Sequence, residues 1–71
     1  MSDIKARFGQ RLRKFRRNKD LTQEQLAELV GISVDFVSLI ERGLSSPSFA
    51  TIQRMSEVLE VSVEEFFKPL P

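Results

Sequence analysis

The chain has 71 residues, 41% hydrophobic and 30% charged, with a formal net charge of +1. That balance excludes a disordered polyelectrolyte and leaves room for one small domain spanning residues 1–71. Cysteine, histidine and tyrosine are absent, so disulfide frameworks, the usual zinc sites and most nucleophile–base pairs are excluded; no enzyme, metal or cofactor is expected, and a reducing, cytoplasmic setting fits.

In chain order, Ile4, Phe8, Leu12 and Phe15 recur at spacings of four, four and three, which predicts a first helix over residues 4–18 with those four on its apolar side. Gly9 lies inside it at a cost of about 1 kcal/mol relative to alanine, so close packing is expected there. This segment also holds most of the positive charge. Lys5, Arg7, Arg11, Arg13, Lys14, Arg16, Arg17 and Lys19 are opposed only by Asp3, whereas residues 20–42 are net acidic. A polyanion responds to local potential, not to the sum over the chain, so the basic end points to a nucleic-acid partner. No apolar run is long enough to cross a bilayer, and "MSDIKARFGQ" lacks the hydrophobic stretch of a secretory signal; no membrane partner is expected.

Thr22 followed three residues later by Gln25 reads as a capping box, opening a second helix whose inward residues are Leu26, Ala27 and Val30. Gly31 ends it in a left-handed conformation, and Ser33 caps a third helix with Val37, Ile40 and Phe36 inward, closed by Gly43. "LSSPS" is a turn, after which Ser48 opens a fourth helix with Phe49, Ile52, Met55 and Leu59 inward. Ser62 with Glu65 reads as another capping box, opening a short fifth helix over residues 62–68 that carries Val63, Phe66 and Phe67. The class is all-α, with five short helices.

Residues 22–43 hold two helices joined almost without a loop. A small residue at Ala27 lets one helix cross close over the other, Gly31 makes the sharp turn, and Val37 and Ile40 seat the second helix on the core. The far side of that second helix then protrudes as a rod able to enter a major groove about 12 Å wide.

On "FGQRLRKFRRNKDLTQEQLA", "GISVDFVSLIERG", "SPSFATIQRMSEVLEVS" and "VEEFF", the chain resembles the lambda-repressor-like (Cro and phage-repressor, or Xre) helix-turn-helix family from Phe8 to Phe67. The resemblance implies a domain that binds double-stranded operator DNA, acts as a two-fold homodimer on a near-palindromic site, and regulates transcription as repressor or activator. Position by position, it implies a phosphate contact for Gln23 and for Ser45 and Ser46 in the loop after the third helix. Val34, Asp35, Ser38, Leu39 and Arg42 match the positions that touch base edges and flanking phosphates. Val34 and Leu39 depart from the family's polar pattern; they suit van der Waals contact with thymine methyl groups, with Asp35 accepting from cytosine N4 and Arg42 reaching phosphate or guanine. Some of Arg11, Arg13, Arg17 and Lys19 are expected to face phosphate.

Arg16 and Glu41 match a pair that in this family bridges the first helix to the end of the third. Phe66, Phe67 and Leu70 are expected at a dimer seam, with core completion by Phe66 as the competing role. Glu24, Glu28 and Asp35 are either capping and surface charge or a contact with RNA polymerase. The small size resembles phage Cro-like repressors and the controller proteins of restriction-modification systems, the latter slightly preferred. An antitoxin-type interaction module that also binds DNA is the competing class; the chain stops four residues after Phe67, which favours a free-standing regulator, and an excised N-terminal domain of a longer repressor is the third alternative.

Overall fold

The architecture begins with a cap. The Asp3 carboxylate accepts from the backbone N–H of Lys5 at 2.9 Å and opens α1, Ile4–Asn18, in the computed structural model, which describes residues 3–69. Phe8, Leu12 and Phe15 bury its apolar stripe. Asp20 at φ 56° then turns the chain. The Thr22 hydroxyl accepts from Gln25 N–H while the Gln25 side chain returns to Thr22 N–H, so a complete capping box starts α2, Gln23–Val30. α3, Val34–Glu41, and α4, Phe49–Leu59, each open on a single N-cap bond, Ser33 accepting from Phe36 N–H and Ser48 from Thr51 N–H. A 3-10 helix, Val63–Phe67, follows, and no strand occurs among the described residues.

The core lies where these helices converge. Leu12, Leu26, Val37, Ile40, Met55 and Phe66 are fully buried, with Val30 and Leu59 nearly so. The Phe66 ring sits 4.9 Å from that of Phe8 and 5.6 Å, edge-on, from that of Phe15. At such separations aromatic pairs add about 0.5–1.5 kcal/mol beyond the area they bury. The 3-10 helix is thereby drawn onto the core.

Several expectations are corrected. The fifth helix is a 3-10 helix instead of an α-helix, and Ser62 makes no capping bond. The side chain that should have completed the box, Glu65, is held by Arg11 and Lys68. Phe49 is 89% exposed, because it occupies the first position of α4, before the helix has turned toward the core. Ile4 and Val63 are also exposed, each at the first position of its element. Phe66 is wholly inside one chain and offers no area to a dimer seam.

Candidate nucleic-acid interface

The turn between α2 and α3 is three residues long because each makes a distinct contribution. Gly31 takes φ 85°, a conformation that costs a residue with a Cβ about 1–2 kcal/mol. From there the N–H groups of Gly31 and Ile32 both reach back to the Ala27 carbonyl, at 2.8 and 3.0 Å. Ser33 then caps α3 directly. Arg54 from α4 donates to the Val30 carbonyl at 3.2 Å, satisfying another acceptor at the end of α2.

α3 is held at both flanks. Its C-terminal turn lies against α1 at Gly9, where an added Cβ would stand 2.7 Å from the Glu41 carbonyl oxygen and closer still to that of Ile40. Beside this contact Arg16 donates Nε to Glu41 Oε2 at 2.6 Å and Nη2 to Oε1 at 3.0 Å, and its Nη1 reaches the Leu21 carbonyl at 2.8 Å. Gln23 Nε2 adds a third donor to Glu41 at 3.0 Å. The pair is buried, with 8% exposure at each residue. One carboxylate thus ties α1, the first residue of α2 and the last residue of α3 together.

This leaves the outer side of α3 uncovered. Val34 (37% exposed) and Leu39 (36%) flank a line of Asp35, Ser38 and Arg42, of which Asp35 and Arg42 are exposed and Ser38 half-buried. Gln23 stands half-buried at the start of α2 with its amide on Glu41. Ser46 is exposed and Ser45 half-buried in the loop after α3. Arg13 lies on the α1 row that contains Gly9, next to the flank against α3; Arg17 is one turn further along. With Gln10, Lys14 and Asn18 they line an open groove of about 390 Å³.

One basic candidate belongs elsewhere. Arg11 is 7% exposed: its Nε donates to the Glu65 carbonyl at 2.9 Å, its Nη2 to the Glu65 carboxylate at 3.3 Å, and its guanidinium lies 4.8 Å from the centre of the Phe15 ring. It cannot present charge to a duplex; it fastens the 3-10 helix to α1. The spacing carried this signal, since Arg11 is three residues from Phe8 and four from Phe15 and so shares their face. Lys19 is exposed just beyond the end of α1, where it pairs at the surface with Glu60. Leu70 lies outside the described residues.

Sequence reasoning did not find the Gln23–Glu41 bond, the clasp of Arg7 and Arg11 on the backbone carbonyls of Phe67 and Glu65, or the capping role of Arg54. All span distant parts of the chain, where periodicity is silent. No helix among the described residues is long and apolar enough to cross a membrane.

Comparison with known proteins agrees with this geometry. Residues 12–66 match the helix-turn-helix family HTH_3. The HTH-type transcriptional regulator YazB of Bacillus subtilis is 45% identical over 62 residues, covering 87% of this chain and 90% of that protein. The crystal structure of the restriction-modification controller protein C.AhdI of Aeromonas hydrophila superimposes with a TM-score of 0.83 at 38% identity, over 89% of this chain and 96% of that one. The biofilm master regulator SinR, solved in complex with DNA, superimposes with a TM-score of 0.81 at 35% identity, over 86% and 98% of the two chains. The chain belongs to the HTH_3 helix-turn-helix family.

Proposed function

We propose that this helix-turn-helix, DNA-binding regulator of transcription acts as a two-fold homodimer on a near-palindromic operator, in the manner of a restriction-modification controller. The observation that carries the reading is the uncovered side of α3: Val34, Asp35, Leu39 and Arg42 stand exposed on a helix whose opposite side is buried and whose end is fixed by Arg16 and Glu41. A rod so held can enter a major groove and keep its register, while Gln23, Ser45, Ser46, Arg13 and Arg17 meet phosphates beside it. The likeness to a controller protein and to a regulator solved with DNA supports the same reading. No catalytic step is part of it.

With Phe66 inside the core, the dimer seam falls to Phe67, which is half-buried, and to the exposed Phe49 and Ile4 beside it. These three line one cleft of about 250 Å³ together with Phe8, Pro47 and Ile52, and Lys5, Ser45 and Ser46 supply its polar lining. Two-fold pairing sets the recognition helices about 34 Å apart, one turn of duplex. The deciding experiment is selection of preferred duplexes from a random library, read with light scattering of the free and bound protein. A half-site repeated with two-fold symmetry and a mass of two chains per duplex is expected; an asymmetric preferred site bound by one chain would sink the dimer. The exposed Glu24 and Glu28 carry no ion pair among the described residues and form an acidic contact surface for RNA polymerase. Glu28→Lys is expected to lower activation in vitro with DNA affinity unchanged.

A further inference from the structure

With α3 seated in a major groove as proposed above, the chemistry of two neighbouring side chains selects a particular base edge. Asp35 and Leu39 are one helical turn apart on the outer side of α3, which places their Cβ atoms about 6 Å from each other. Both are exposed, and the Asp35 carboxylate is in no ion pair among the described residues. A carboxylate only accepts hydrogen bonds. It is repelled by the acceptors of guanine and by thymine O4, and it is satisfied by an exocyclic amine. The leucine beside it can gain only from an apolar group.

The four standard bases split these two needs. Cytosine offers the amine at C4 but bare carbon–hydrogen at C5; thymine offers the C5 methyl but sets it beside the acceptor O4; adenine sets its amine beside the acceptor N7. An amine and a methyl group on adjacent ring atoms occur together in 5-methylcytosine. We propose that Asp35 and Leu39 form a reader for a methylated cytosine, Asp35 accepting from N4 and Leu39 covering the C5 methyl, so that the chain binds its operator more tightly when that cytosine is methylated.

The test starts from the duplex that the unaltered chain selects from a random library. Each cytosine of the half-site is replaced singly by 5-methylcytosine, and each thymine by deoxyuridine, and binding is titrated. Methylation at one cytosine per half-site is expected to tighten binding about fourfold, the gain from burying one methyl group. Leu39→Ala and the polar, volume-conserving Leu39→Gln should bring the ratio of methylated to unmethylated affinity to about one. Asp35→Asn, whose carboxamide can donate to O4, should let thymine at that position bind as well as 5-methylcytosine. The proposal is overturned if no cytosine methylation tightens binding, or if the gain survives both Leu39 variants. It is also overturned if loss of a thymine methyl weakens binding while cytosine methylation does nothing, since Leu39 then covers thymine. Absence of any duplex association at low salt overturns the DNA reading itself.

Discussion

Arg16 and Glu41 lie 25 residues apart in the chain and meet through two hydrogen bonds, at 2.6 and 3.0 Å, with both residues buried. The bond is geometric as much as energetic. Two forked donors against one carboxylate fix the orientation of the last turn of α3 on α1, and the Leu21 carbonyl and Gln23 amide complete the set. Removing one partner strands a buried charge, at a cost of about 3–5 kcal/mol. A domain of this size has a total stability near the low end of about 5–15 kcal/mol. Arg16→Ala or Glu41→Ala should therefore lower Tm by more than about 12 °C, at about 4–8 °C per kcal/mol. A loss of one or two degrees by calorimetry would show the pair to be immaterial to stability.

Gly9→Ala sets two opposing effects against each other. Alanine gains about 1 kcal/mol of helix propensity over glycine. Its Cβ, however, would stand 2.7 Å from the Glu41 carbonyl oxygen and nearer still to that of Ile40. These are backbone atoms that cannot step aside without moving α3, and overpacking of this kind costs about 1–3 kcal/mol. The clash wins. The substitution should lower Tm and also weaken DNA binding at temperatures where the variant is fully folded, because α3 is displaced; a more stable variant would show that the approach is looser.

Acid should loosen the clasp between α1 and the 3-10 helix. The Glu65 carboxyl is held below its ordinary 4.5 chiefly by the hydrogen bond from Lys68, against the opposing effect of burial, with the charges of Lys68, Arg11 and Lys14 assisting. Glu60 is lowered likewise by its bond to Lys19. A depressed carboxyl contributes stability above its unfolded value, and that contribution disappears as pH falls through the lower folded value. Lys68, raised by the bond to Glu65, contributes below 10.5 and loses its share only as pH rises through its raised value. Tm measured from about pH 6 to 2 should thus fall below about pH 4.5. The fall should flatten, though only slightly for groups this exposed, in the Glu65→Gln, Glu60→Gln double variant. An acid limb identical in that variant would assign the loss to other carboxylates.

What the sequence made legible was whatever is local. The caps at Thr22, Ser33 and Ser48, the left-handed Gly31 and the buried Leu26, Ala27, Val37 and Ile40 all follow from neighbours within one or two turns. The failures fall at the first positions of elements and at contacts between distant segments. Phe49 fits the apolar period of α4, yet at the helix start that period carries it past the edge of the core. The Glu65 side chain is drawn to Lys68, three residues on, and to Arg11 on α1, 54 residues away in sequence, instead of to the local cap. Arg11 shares its charge with Arg13 and Arg17, but its spacing from Phe8 and Phe15 places it on the buried side.

Arg11 and Arg13, two residues apart and chemically identical, should therefore behave oppositely when replaced. Arg13 is exposed on the α1 row beside the flank that meets α3, and it has no ion pair among the described residues. If it neutralises one phosphate per protomer, Arg13→Ala should weaken binding to all duplexes alike and reduce the log–log salt slope by about 0.9 per protomer, with Tm nearly unchanged. Arg11→Ala should leave that slope as it is and lower Tm, because it removes the donor to the Glu65 carbonyl and the cation over Phe15. Arg42→Ala supplies the third pattern. If it reads a base, specific binding should fall by about 1–3 kcal/mol while binding to random duplex changes little. Salt titrations of the three variants on the selected and a scrambled duplex separate these roles, and an Arg11 variant with the lowered slope of Arg13→Ala would return Arg11 to the DNA face.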